Sequence, residues 1–136
     1  MKDFLAQEAL TETDAFIVSD AGFAPAIGQT TLDLPSDAGL VDLQAALHAT
    51  AIVRIAFPSF ADGRGFTLAR RLRQLGFAGH LRAHGHILAD QYAMARRSGF
   101  NDVEIDGKLA ARQPEPQWRA RANWQAHDHR SRLYGA

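Results

Sequence analysis

Apolar residues along this chain switch between two periods. Ala51-Ile52-Val53-Arg54-Ile55-Ala56-Phe57 is a nearly continuous apolar run of strand length, as expected of a strand covered on both faces. From about Phe66 the spacing becomes helical, with Leu68, Leu72 and Leu75 on one stripe. Gly76 stops that helix, and Phe77 is placed to fold back on its last turn. His80-Leu81-Arg82-Ala83-His84 returns to strand, and Ile87 to Arg97 to helix. Ser98-Gly99-Phe100 then closes the second helix as Leu75-Gly76-Phe77 closes the first, before a strand at Val103-Glu104-Ile105.

The two Gly-Phe stops lie 23 residues apart, at Gly76 and Gly99. A strand-helix unit repeating at that length predicts parallel neighbours joined by right-handed crossovers. Upstream, Thr31-Leu32-Asp33-Leu34 reads as a strand. Pro35-Ser36-Asp37 follows as the start of an N-capped helix with Leu40, Leu43 and Leu47 on one face. Phe16-Ile17-Val18 adds a possible edge strand in a stretch of weak periodicity. The expectation is a single α/β domain of repeated strand-helix units, with a mainly parallel sheet of four to five strands, open or half-barrel-like. It spans residues 1–110. Residues 111–136 form a polar, Arg-rich tail behind the linker Gln113-Pro114-Glu115-Pro116, carrying Trp118, Trp124 and Tyr134; it packs as a final short helix or reaches a partner.

Composition narrows the chemistry. With 136 residues, 46% of them hydrophobic, the chain can bury a core without staples. It has no cysteine, which excludes a thiolate nucleophile, a disulfide and cysteine-held metal or iron–sulfur centres within the chain. Met1-Lys2-Asp3-Phe4-Leu5 has no apolar signal core and no run reaches membrane-spanning length, so a cytoplasmic protein with no membrane partner is expected. Net charge is zero but uneven: residues 1–50 hold 8 acidic residues and 1 Lys, residues 51–136 hold 14 Lys/Arg and 7 acidic residues. The basic half suits an anion or acidic partner, or a homodimer mated by the asymmetry; solvated helix faces account for it equally.

In a parallel sheet the loops leaving the strand C-termini meet on one edge. Here they carry Ser59 to Gly65, His84-Gly85-His86 and Asp106-Gly107-Lys108. Arg64 beside a helix start is suited to an oxyanion, with paired guanidinium donors next to unpaired N–H groups. Asp62 orients Arg64 or acts as a base; the plainer alternative is that Asp62 caps the helix while Gly63 and Gly65 permit the turn. Gly-Arg-Gly is neither a phosphate-binding nor a dinucleotide fingerprint. His80, Arg82 and His84 share a face by period two. His84, His86 and Asp90 have the donor types of a two-histidine, one-carboxylate site, but their spacing matches no strong metal motif and no metal is expected. Asp90 sits where a helix dipole favours a carboxylate, and Gln91 beside it is placed to reach the loops. His127-Asp128-His129 is a weaker cluster. No serine elbow or nucleic-acid motif is present, and no cofactor or nucleic-acid partner is expected.

Phe57-Pro58-x-Phe60-x-Asp62-Gly63-Arg64-Gly65-Phe66, then Arg70-x-Leu72-Arg73, Gly79-x-Leu81-Arg82-Ala83-x-Gly85, Asp90-Gln91 and Gly99-Phe100, resembles the motif series of domain of unknown function family 934. The resemblance covers roughly residues 30 to 106. It implies a bacterial protein encoded beside sulfite reductase, sometimes labelled an oxidoreductase of sulfite reduction. It thereby implies a role in sulfate assimilation, with sulfite reductase or another protein of that process as partner. Many members carry an acidic residue at the position of His86 and Cys at that of Ser98, so the resemblance brings neither a family-wide metal site nor a thiol mechanism.

Three functions are then open. In the first, an accessory protein binds a small oxyanion or an assembly partner through Asp62, Gly63, Arg64, Arg82, Gly85, His86, Asp90 and Gln91, with Asp62 and Asp90 orienting Arg64 and Arg82. In the second, an enzyme transfers a proton from Asp62 or His86 on a small anionic sulfur or phosphate compound; this needs Asp62, Arg64, Arg82 and His86 in mutual reach inside a pocket. The third is a structural homodimer with no ligand.

Overall fold

Burial alternates along the longest strand, Ile52–Phe57, as in a strand with one face on the core. The structure is a computed structural model that describes residues 14–127. Met1 to Leu5, Asp128, His129 and Tyr134, discussed above, lie outside the described residues. The strands are β1 (Ala15–Ser19), β2 (Gly22–Pro25), β3 (Thr31–Leu34), β4 (Ile52–Phe57), β5 (Leu81–Gly85) and β6 (Asp102–Asp106). The helices are α1 (Leu40–Leu47), α2 (Arg64–Gln74), α3 (Tyr92–Ser98), α4 (Gly107–Arg112) and α5 (Glu115–Arg119), with 3₁₀ turns at Ala89–Gln91 and Trp124–His127.

The six strands form one open, mixed sheet in the order β2-β1-β6-β5-β4-β3. β3, β4, β5 and β6 run parallel, while β1 is antiparallel to both β6 and β2. The alternating strand-helix pattern therefore gives the parallel part as expected. The count of four to five strands is corrected to six among the described residues. β1 is not an edge but lies between β2 and β6, and β2, built on the weakly periodic Gly22–Pro25, takes the edge.

Val53, Ile55 and Phe57 of β4, Leu81 and Ala83 of β5, and Val103 and Ile105 of β6 are buried against Leu43 and Ala46 of α1, Phe66, Ala69 and Leu72 of α2, and Tyr92 and Ala95 of α3 in one core. Consecutive parallel strands are also spatial neighbours, so right-handed crossovers put each helix on the same face. The run Ala51–Phe57 is thus covered by helices on one face only, with Ile52, Arg54 and Ala56 half-buried on the other. The helical stripes also shift. In α2 the buried positions are Gly65, Phe66, Ala69 and Leu72, and Leu75 lies exposed past the end. In α1 Leu43 and Ala46 are buried but Leu40 is exposed, and the N-cap is Gly39, whose N–H is taken by Asp42.

Both Gly-Phe stops form as expected. Gly76 and Gly99 have φ of 102° and 116°, and the N–H groups of Phe77 and Phe100 reach back to the carbonyls of Leu72 and Ala95 at 3.0 and 3.1 Å. This is the hydrogen bond of the left-handed helix cap. Both phenylalanines are buried. Arg73 joins the two caps: its Nε and Nη2 donate to Gly99 O, Nη1 to Phe77 O and Gly79 O, and Nη2 also to Asn101 Oδ1.

β2 and β3 lie on opposite edges, yet only residues 26–30 connect them. Five strand spacings of about 4.8 Å make about 24 Å, and the chain from Pro25 to Thr31 reaches about 22 Å at full stretch. The sheet must therefore curl, and the strap crosses its helix-free face, where Gln29 Oε1 accepts from Arg82 Nη1 of β5 at 2.8 Å.

Candidate functional site

The parallel strands end together at Leu34, Phe57, Gly85 and Asp106, and their exit loops form one edge. Gly85 is required there: its φ is 120°, and a Cβ would lie 2.6 Å from the Phe57 carbonyl oxygen. That carbonyl instead accepts the His86 N–H at 2.9 Å, with His86 Nδ1 at 3.3 Å. The His86 ring stands edge-on to Phe60, centroids 5.3 Å apart. Gln91 reaches the same loop, donating through Nε2 to Phe60 O at 3.1 Å while its Oε1 accepts from Leu88 N. Gly65 lets α2 approach Phe57, whose ring carbon would be 2.4 Å from an added Cβ. Gly63, the N-cap, has φ of −90°, which other residues also adopt.

Asp62 and Arg64 form the most organised group on this edge. Asp62 Oδ1 accepts from Arg64 N at 3.1 Å and Nε at 3.0 Å, and Oδ2 from Nη2 at 2.7 Å. Nη2 also donates to Ser36 Oγ on the β3 exit loop at 2.8 Å. The Arg64 hydrogen bonds hold the Asp62 carboxyl far below the usual carboxylate range, and Asp62 raises Arg64 in turn. Asp62 thus accepts the N–H of Arg64, the first residue of α2, and holds the Arg64 guanidinium in place. The Arg64 side chain remains 60% exposed, with Nη1 outside these contacts.

Of the candidate set, Arg82 stands apart from this edge and Asp90 is paired elsewhere. Arg82 is buried on the helix-free face, where Nε and Nη2 meet Asp102 at 2.8 and 3.1 Å. Its orienting carboxylate is thus Asp102; Asp90 pairs instead with Arg121 at 2.6 Å, both exposed. His84 also lies on the helix-free face, its Nε2 3.7 Å from Glu104. His84, His86 and Asp90 consequently have three separate sets of neighbours, and among the described residues no three His, Asp or Glu side chains are grouped to hold a metal.

The helix-free face is a charged lattice across four strands. Arg54 donates to Asp33 at 2.8 and 2.9 Å and to Glu104 at 2.9 Å, and His80 Nε2 joins Arg82 on Asp102 at 2.9 Å. Hydrogen bonds from Arg54 lower Asp33, and Asp33 above all raises Arg54. Burial, reinforced by the Arg54 charge, pushes His84 below its ordinary value despite Glu104 and Asp33. Asp33, Leu34, Pro35, Arg54, Ala56 and His84 line an open depression of about 240 Å³ beside the Ser36–Arg64 edge.

Sequence reasoning missed a second polar centre at Asp20 in the β1–β2 turn. Tyr92 Oη donates to its Oδ1, Arg96 spans both oxygens at 3.2 Å, and Trp124 Nε1 lies 3.3 Å from Oδ2. Burial opposes ionisation of Asp20, but these hydrogen bonds outweigh it and the carboxyl is lowered; burial and Asp20 together push the Tyr92 hydroxyl well up. Asp20 with Arg96 and Asp33 with Arg54 show part of the charge asymmetry answered within the chain. Trp118, read as tail, is buried in the core with its indole N–H on Gln113 O. Only the uneven charge of the two halves signalled such pairing, and it named no partners.

A sequence profile described as "Bacterial protein of unknown function (DUF934)" matches residues 31–131. No curated protein and no solved structure matches the chain.

Proposed function

The chain belongs to the bacterial DUF934 family, and from that premise we propose that it is an accessory protein of sulfite reduction that docks onto a partner enzyme through the C-terminal edge of its sheet. The observation that carries the reading is the Asp62–Arg64–Ser36 group. A guanidinium is held at three points by its own chain yet stays mostly in solvent. Such an arginine loses little side-chain freedom on binding. A free oxyanion fits it less well. The Asp62 carboxylate already occupies the start of α2 and takes the Nε–Nη2 side of the guanidinium, which leaves Nη1 for an incoming group. One charge-assisted bond in open solvent binds weakly by itself. A carboxylate carried on a protein brings further contact area with it, and Phe60 and His86 flank the same edge. Arg82, which proton-transfer chemistry on this edge would need beside Arg64, is occupied by Asp102 and Gln29.

Sulfite reductase is the partner to try, because the resemblance implies a gene beside it. Calorimetric titration of sulfite reductase with this chain should give a binding isotherm, and Arg64→Ala should weaken it about 10-fold or more, as for a well-placed interface arginine. Arg70→Ala, an exposed change on the same helix, should leave it unaltered. Thermal unfolding with sulfite, sulfate or phosphate should show no rise in midpoint. A sulfite-selective rise lost in Arg64→Ala would replace partner docking by oxyanion binding.

A further inference from the structure

The two edges of the sheet are treated differently. At β2, Glu115 of α5 accepts the Phe23 N–H at 2.7 Å, and a Cβ on Gly22 would collide with the same carboxylate. β2 also ends in Pro25. Capping an outward N–H and ending in proline are devices that stop a strand from pairing further. β3 also runs into a proline, Pro35, but among the described residues no side chain caps its outward N–H groups as Glu115 caps that of Phe23. The Thr30 carbonyl accepts from Ile52 N, and β3 and β4 pair in parallel as Thr31↔Ile52 through Leu34↔Ile55. Thr30, Leu32 and Leu34 therefore turn their backbone groups toward β4, and the alternate residues Thr31 and Asp33 turn theirs outward.

We propose that β3 is the seam of a two-fold homodimer, pairing antiparallel with β3 of a second copy to continue the sheet across the axis. The outward-facing residues admit a register centred on Leu32. With Leu32 opposite Leu32 of the partner copy, Thr31 faces Asp33 on each side, and those are the residues whose N–H and C=O groups point outward. This makes two hydrogen-bonded pairs around one non-hydrogen-bonded leucine pair. The alternative centred on Asp33 sets two carboxylates directly opposite, which is destabilising, and sets Thr31 against Pro35, which has no N–H to give.

Of the acidic residues near the seam, Asp33 is paired with Arg54 and Asp37 lies in the field of Arg64. A two-fold axis through β3 and perpendicular to the sheet also keeps both helix layers on one face. It brings α1, the last helix of that layer, beside its symmetry mate. α1 presents exposed Val41 and Ala45 one turn apart, Val41 at 79%. One operation thus answers both the open strand edge and the uncovered helix, which a strand from an unrelated protein would not do.

The test uses the full chain, which has no native cysteine. Light scattering at about 100 µM should give twice the chain mass for wild type. Thr31→Pro removes one outward N–H and no bond to β4, and should give a monomer with an unchanged circular dichroism spectrum. Ala45→Glu should weaken the dimer. Leu32→Cys should crosslink to a second copy under mild oxidation, because facing residues of a non-hydrogen-bonded pair lie close enough for a disulfide. A monomeric wild type overturns the proposal. So does a dimer that survives Thr31→Pro and does not crosslink through Cys at position 32, since its interface then lies elsewhere.

Discussion

Arg73 shows how much of this fold passes through single side chains. Its five N–H donors end on three backbone carbonyls and on Asn101, tying the ends of α2 and α3 to the start of β5. Arg73→Met leaves those acceptors short and should cost about 2–4 kcal/mol, a few charged-group hydrogen bonds; urea unfolding would measure it, with exposed Arg70→Ala within about 0.5 kcal/mol of wild type as control. His84 sets a pH dependence at the same scale. Its folded pKa lies below the unfolded value of about 6.5, so between the two the unfolded chain holds more protons. That contribution is present above about pH 6.5 and is lost as pH falls through the lowered folded value. Unfolding free energy measured at pH 7.5 and 5.5 should fall less in His84→Gln than in wild type; equal falls would remove His84 from the account. These roles were not legible in the sequence. Arg73 stood in the motif Arg70-x-Leu72-Arg73 with no role attached, and Arg54–Glu104 joins residues 50 apart, a pairing that no local pattern encodes.

Elements were legible where a local rule set them. The glycine caps at Gly76 and Gly99 announced themselves, because a left-handed residue followed by a buried phenylalanine is a short-range signal. Gln113-Pro114-Glu115-Pro116 left a final short helix and a partner-reaching tail both open, because proline suits both linkers and the first turn of a helix. Here Pro114 is the N-cap of α5 and Pro116 lies in its first turn. α5 then delivers Trp118 to the core, beside Tyr92 and Phe23. Trp118→Ala should cost about 3–5 kcal/mol by removing a fully buried ring, read as a lowered urea midpoint. A loss under 1 kcal/mol would show that α5 is an appendage rather than part of the domain. β2 escaped notice because a four-residue strand leaves too few positions for period two to show.

For the whole molecule, alternating strand and helix was enough to predict a parallel sheet. Which face stays bare follows from strand order, and that order is a tertiary fact. Four consecutive parallel strands side by side place the core on the helix face and a charged lattice on the other. Arg82 was grouped with Arg64 because both belong to neighbouring strand-helix units; the sheet separates them, since Arg82 lies within β5 on the helix-free face and Arg64 begins the helix after β4. What remains at the C-terminal edge, where Phe60 and His86 also lie, is an exposed, self-oriented arginine, and the proposal of docking rather than catalysis rests on it. Hydrogen exchange of this chain with and without saturating sulfite reductase tests that claim most directly. Slowed exchange in residues 58–66 and 85–91 that disappears with Arg64→Ala is the predicted result, whereas no change in those segments at saturation would contradict it.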